Sequence, residues 1–336
     1  MWPTSPQEGL GGTILTPRFK RAWRRAVRKG ESLRSLARRS SRGVRPENIV
    51  WIFGTGRSGS TWLGSMMEGL DGFAMWNEPL VGNLFGNFYY FRVGGRKLGK
   101  HSILGEAYKE TWLGPMRDLV LGGAEARFPE VVRGGYLVIK EPNGSIGSPL
   151  LMEALPESRM IFLIRDPRDV VASSMDARSE GSFLQERRDG QRRTSRPDRN
   201  PNAYARLRAS TYVQQIEKTR QAYDAHGGHK VLVRYEDLRA DALETMKRIY
   251  STLEIPVEEA ELARSVEKNS WENIPEEQKG EGKFHRKAKP GGWSEDLTAR
   301  QVEIVEDITA PLLEEYYPDT TTSLITTPGT LPLSIP

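Results

Sequence analysis

Positions 54–61 read GTGRSGST: three glycines, one arginine and four hydroxyl residues between an apolar run, Ile49–Phe53, and a helical pattern that opens near Ser60. Gly54, Gly56 and Gly59 free the backbone to turn its N–H groups toward one point, and a helix starting at Ser60 adds the positive end of its dipole. That is a cradle for an anion. The spacing matches the phosphate-binding pattern G-x-x-x-x-G-K-[ST], yet Ser60 stands where the lysine belongs and the loop's sole cation is Arg57. No apolar run ends in a convincing magnesium-binding aspartate either, so a β,γ-phosphate is poorly served. The loop is expected to hold a 5′-phosphate through Gly56, Ser58, Gly59, Ser60 and Thr61, with Arg57 meeting the transferring end and no metal required. A second group follows in MIFLIRDPRDVVASSMDA (160–177), where Arg165 leaves a strand tip and Ser173 lies eight residues on. A guanidinium and a hydroxyl so placed can share a second phosphate, whereas Arg165 beside Asp166 and Asp169 also fits a surface ion-pair network. The residues alone leave both readings open.

Apolar, β-branched runs at Ile49–Phe53, Tyr136–Ile139, Met160–Ile164 and Lys230–Val233 are each followed by a loop or a helical pattern. That alternation predicts βαβ units in an α/β fold with a doubly wound, mainly parallel sheet between helices. Helix starts are marked by Asp166 before Pro167, Asp241 with Glu244 three later, and Thr298 with Gln301 three later. The last opens an amphipathic helix carrying Val302, Val305, Ile308 and Leu312.

The predicted organisation is a basic, partly helical extension (1–46), a domain (47–318) interrupted by a long polar, arginine-rich loop or lid (177–202), and a Thr/Pro/Leu-rich tail (319–336). The 336 residues carry a net charge of +5, but twelve Lys/Arg against Glu8 and Glu31 lie in 1–46, which leaves the remainder acidic. Phe19, Trp23 and Val27, four apart among arginines, suit peripheral contact with an anionic membrane; a solvated basic tail is the plainer reading. The absence of cysteine excludes disulfides, thiolate metal sites and cysteine nucleophiles and fits a cytoplasmic setting. The four histidines show no metal-ligand spacing, and no run of about 18 apolar residues suggests a membrane span.

The strand–GTGRSGSTWL–helix segment followed by IRDPRDVVASS resembles the two nucleotide-binding signatures of the sulfotransferase family, the 5′-phosphosulfate loop and the 3′-phosphate motif. VLVRYEDLRAD (231–241) is similar to the family's Tyr-Glu-Asp stretch, and FHRKAKPGGWSEDLT (284–298) to its late Arg-Lys-Gly-x-x-Gly segment. The resemblance spans about residues 48–317 and implies a P-loop NTPase-like fold with 3′-phosphoadenosine 5′-phosphosulfate (PAPS) as sulfuryl donor. It implies further that Trp62 and Tyr235 lie by the adenine, and that Arg165, Ser173, Arg286 and Lys287 take the 3′-phosphate. Ala288 stands where the family's pattern has glycine, a departure at a position the resemblance gives to a backbone contact.

The cytosolic branch of the family uses a histidine soon after a strand-end lysine; in LVIKEPNGS (137–145) Pro142 occupies that place. The tyrosyl-protein branch has a loop arginine and a glutamate base about twenty residues later, which implies Glu78 in MWNEPLVG, 21 residues after Arg57. Burial is expected to raise that carboxylate's pKa toward its working range. Lys140 matches the shared strand-end lysine and joins Arg57 in stabilising the leaving oxygen; Glu141 is the rival base. The acceptor is expected to be a small molecule, carbohydrate or lipid bearing a hydroxyl or amine. Arginines of the 177–202 loop favour an anionic or membrane-associated one. Two other functions fit parts of the sequence: a P-loop nucleotide-type kinase, which needs magnesium and a loop lysine, and a non-catalytic nucleotide- or polyanion-binding protein, although nucleic acid is not an expected partner.

Overall fold

The computed structural model describes residues 43–93, 102–131, 134–178, 200–280, 283 and 287–318. Five parallel strands form one sheet: β1 (Ile49–Phe53), β2 (Phe73–Asn77), β3 (Tyr136–Lys140), β4 (Arg159–Ile164) and β5 (Lys230–Arg234), in the order β2-β3-β1-β4-β5. The helices in chain order include α1 (Ser60–Glu68), α2 (Val81–Gly86), α3 (Lys109–Arg127), α4 (Ser148–Ala154), α5 (Pro167–Asp176), α6 (Pro201–Ala225) and α7 (Tyr235–Ala240). They continue with α8 (Ala242–Thr252), α9 (Glu259–Lys268), α10 (Trp293–Asp296) and α11 (Ala299–Tyr316). The architecture is the expected doubly wound α/β fold.

Strand periodicity divides the core. Ile49, Trp51 and Phe53 of β1 face one layer together with Leu137, Ile139, Met160, Phe162 and Ile164, against residues of α3, α4, α6 and α11. The alternate residues Val50 and Ile52, with Val138, Ile161 and Leu163, face the other layer against Leu63, Met66 and Met67 of α1 and Met246 and Ile249 of α8. Both faces are covered, so the central strands read as unbroken apolar runs. The sequence predicts four strands and misses β2. That strand is a sheet edge of only five residues, FAMWN, partly exposed and with Ala and Met where β-branched residues are the usual signal.

The expected helix starts are present. Asp166 accepts a hydrogen bond from the Arg168 N–H and Asp241 from that of Glu244, while Thr298 and Gln301 form a reciprocal capping box. The polar stretch 177–202 ends at α6, whose first residue is Pro201, with the Asn200 side chain accepting from the N–H groups of Asn202 and Ala203. The rest of that stretch (179–199), the basic segment 1–42 and the tail 319–336 lie outside the described residues. No helix among the described residues is long and apolar enough to cross a membrane.

Candidate active site

The carboxyl ends of all five strands deliver a side chain toward one cleft of about 1030 Å³: Arg57 after β1, Glu78 after β2, Lys140 ending β3, Arg165 after β4 and Tyr235 after β5. Open parallel sheets bind ligands at this edge. The volume stands at the upper end of the range for small-molecule sites, room for a nucleotide with a second molecule beside it.

The 54–59 loop is locked in place. The Gly54 N–H donates to Ser145 Oγ at 2.9 Å, and the buried Ser58 hydroxyl donates to the Thr55 carbonyl at 2.8 Å, so Ser58 serves the turn and does not line the cleft. Gly59 caps α1 at φ +90°, and a Cβ there would lie 2.4 Å from Cδ2 of Tyr235; only glycine suits that position. Gly56, Gly59, Ser60, Thr61 and Trp62 line the cleft. Arg57 itself is left-handed at φ +74°, a conformation that costs an L-residue roughly 1–2 kcal/mol. Its Nε donates to Ser173 Oγ at 2.9 Å, while Arg165 Nη1 donates to the Arg57 carbonyl at 3.1 Å. The two groups read separately from the sequence are thus in contact within one cleft.

Arg165 is buried, and its Nε has no hydrogen-bond partner. Its guanidinium sits 4.3 Å from the centroid of the Tyr235 ring, which meets Trp62 edge-on at 6.2 Å. Trp62 Nε1 donates to the Asn269 carbonyl at 2.7 Å, and Arg239 stacks over the indole at 5.7 Å. An orphaned guanidinium nitrogen beside two aromatic faces suits an anionic, ring-bearing ligand such as an adenosine phosphate.

Opposite lies a carboxylate–ammonium pair. Lys140 Nζ, buried, donates to Thr61 Oγ1 and to Glu78 Oε1, both at 3.0 Å, and Asn143 Nδ2 donates to Glu78 Oε2 at 2.6 Å. The Glu78 side chain keeps 31% exposure, so the burial expected of this carboxylate is only partial. Its backbone is left-handed at φ +50°. The rival, Glu141, is fully buried away from the cleft, its two oxygens accepting from the N–H groups of Leu80 (3.0 Å) and Gly82 (3.2 Å). Burial pushes its carboxyl up to about 7, the two backbone donors opposing this only in part. Glu141 therefore holds the turn that presents Glu78.

The RDPRD segment braces the site. Buried Arg168 pairs with Asp166 at 2.7 Å and Glu306 at 2.8 Å, and lies 4.2 Å over the Trp293 ring. Asp169, also buried, accepts from the Gly291 and Trp293 N–H groups at 2.9 and 3.0 Å and lies 3.7 Å from Arg165. Both aspartates are buried rather than part of a surface network, and Asp169 fastens the late segment over the cleft. There Lys287 lines the cleft with its ammonium on Glu295 (3.2 Å) and Asp296 (2.8 Å), whereas Arg286 lies outside the described residues. Ala288 adopts φ +47°, the glycine-type conformation, and its carbonyl accepts from Arg239 Nε at 2.9 Å. Sequence reasoning missed Asn143, Asp169 and Arg239. A polar residue three past the strand-end Lys140 was the one local signal for Asn143.

No curated protein matches the chain. Among solved structures it is similar to sulfotransferase STF9 from Mycobacterium avium, at 15% identity over 81% of this chain and 78% of that one, with a TM-score of 0.50. It is also similar to mouse sulfotransferase SULT7A1 complexed with PAP (15% identity, 80% and 89% covered, TM-score 0.49). A third is STF1 from Mycobacterium tuberculosis H37Rv (14% identity, 87% and 81% covered, TM-score 0.46). At such identities STF9 speaks to the fold alone. The family model described as "Sulfotransferase family" matches residues 50–259, well over half of the sequence. Because that match runs from the first strand past the fifth and takes in every strand end that meets the cleft, the chain belongs to the sulfotransferase family and is an enzyme that transfers a sulfuryl group from PAPS.

Proposed function

We propose that the cleft carries out sulfuryl transfer with Glu78 as general base, and that Lys140 and Arg57 stabilise the oxygen left behind. In this reading the backbone of Gly56–Thr61 and the start of α1 hold the 5′-phosphosulfate. Arg165 and Ser173 take the 3′-phosphate, with Lys287 and Arg286 closing over it, and Trp62 and Tyr235 flank the adenine. Glu78 removes the proton from an acceptor hydroxyl or amine as that atom attacks sulfur in line; the sulfur–oxygen bond to the 5′-phosphate breaks, and the negative charge grows on the phosphate oxygen. Lys140 is suited to meet that charge, and the reading places no metal there. The observation that carries it is the Lys140 ammonium held between Thr61 of the loop's helix and the Glu78 carboxylate, which sets base and charge acceptor side by side. The acceptor is a small molecule, with carbohydrates and lipids the finer candidates. The sulfotransferase domain is taken as 47–318, and the basic extension before it as a peripheral contact for anionic membrane.

The test is thermal stability with 3′-phosphoadenosine 5′-phosphate (PAP) against ATP plus magnesium. PAP at a hundredfold its Kd is expected to stabilise the chain by about 2.7 kcal/mol, and ATP far less. Preferential stabilisation by ATP would refute the assignment.

A further inference from the structure

Beyond the groups assigned to the donor, the cleft wall carries a second cationic cluster. Arg178 follows α5 and stacks its guanidinium 4.8 Å over the ring of Tyr204 on α6; Arg208, one turn further along α6, lines the same cleft. The Tyr204 hydroxyl donates to the Ser174 carbonyl at 3.3 Å, which seats this platform directly beside Ser173. Among the described residues no carboxylate pairs with either arginine, and the buried Nε of Arg208 has no hydrogen-bond partner. Burial lowers the pKa of Arg208, and Arg178 adds to this, with Tyr204 opposing it in part. A half-buried guanidinium beside another cation, with one buried donor unmet, is costly unless an anion completes it.

One helix connects this cluster to the Glu78 side of the cleft. Gln215 Nε2 on α6 reaches the Pro142 carbonyl at 3.4 Å, next to the Asn143 that holds Glu78. Residues 208 and 215 are seven apart, so they share a face of α6 and lie about 10 Å from each other along it. The donor's two phosphates already have Arg57's loop and Arg165 with Ser173, and Arg178 lies five residues past Ser173, beyond the end of α5. Resting on the reading above, we propose that Arg208 and Arg178, the latter over the Tyr204 ring, bind an anionic group of the acceptor, a carboxylate, sulfate or phosphate carried on the same molecule as the hydroxyl or amine that is sulfated.

The experiment uses the full chain saturated with PAP and follows thermal stability against inorganic sulfate at fixed ionic strength, for wild type, Arg178→Gln, Arg208→Gln and Arg208→Lys. PAP is expected to stabilise all four alike. Sulfate should add a further shift in the wild type, weakened at least tenfold in apparent affinity by either glutamine variant and partly kept by lysine. A tenfold loss of PAP affinity in Arg208→Gln would assign the pair to the donor and overturn the proposal. So would a wild type indifferent to sulfate, or a sulfate response that the glutamine variants retain. If PAP fails to stabilise the wild type, the donor reading falls instead, and the sulfate comparison is read on the ligand-free chain.

Discussion

Glutamine at position 141 keeps the size and one acceptor oxygen of the native side chain and removes its charge. In the wild type the carboxyl has a pKa pushed up from 4.5 to about 7, mainly by burial. The unfolded chain releases this proton near 4.5 while the native state keeps it to about 7, so the native state binds more protons across that window and stability falls as pH rises through it. Between pH 5 and 8 the shift amounts to about 2–3 kcal/mol of lost stability from this one group. Glu141→Gln pays a different and pH-independent cost, because its amide must face one of the two N–H groups of Leu80 and Gly82, roughly 1–3 kcal/mol for an unmet buried donor. Other titrating groups cancel in the difference, so urea unfolding of both proteins at several pH values isolates the effect. The stability of wild type minus variant should fall by about 2–3 kcal/mol from pH 5 to pH 8. A difference that stays flat, or rises with pH, would refute the claim that Glu141 is carried in the fold as a brace that keeps its proton up to about pH 7.

Glu78→Gln is expected to lower kcat by roughly 10²–10⁴, with PAP affinity nearly unchanged, since a general base contributes to the proton-transfer step alone; single-turnover transfer of labelled sulfate measures it, and a loss below tenfold would assign the proton to another group. Ala288→Gly should stabilise the chain by about 0.5–1 kcal/mol in urea unfolding, because glycine relieves the left-handed backbone at that residue but gives back part of the gain in chain entropy.

The sequence showed the parts of the fold and site that depend on near neighbours. Strands β1, β3 and β4 were readable because each is buried almost throughout and so is largely apolar, and β5, an edge strand whose burial alternates, by its Val-Leu-Val run; β2, at the opposite edge, lacks such a signature. The 54–61 loop was readable because glycine spacing and the following helix occupy one short segment. The roles of Glu141, Asn143 and Asp169 were not, because each is fixed by a partner more than fifty residues away: Glu141 by the turn after β2, Asn143 by Glu78, Asp169 by the backbone at 291 and 293. Nothing local distinguishes such a residue from an ordinary surface charge or amide. Arg208 illustrates the same limit, since within α6 it reads as one more exposed helical arginine.

Three non-glycine residues in the cleft wall, Arg57, Glu78 and Ala288, have positive φ. This spreads the chain's tolerance of random substitution unevenly around the cleft. Glycine relaxes the backbone at each position, but at 57 and 78 it deletes the guanidinium or the carboxylate, whereas at 288 it removes a single methyl group. A lineage under pressure for heat resistance alone would lose its cleft at the first two positions before its scaffold weakened, and could change the third without loss.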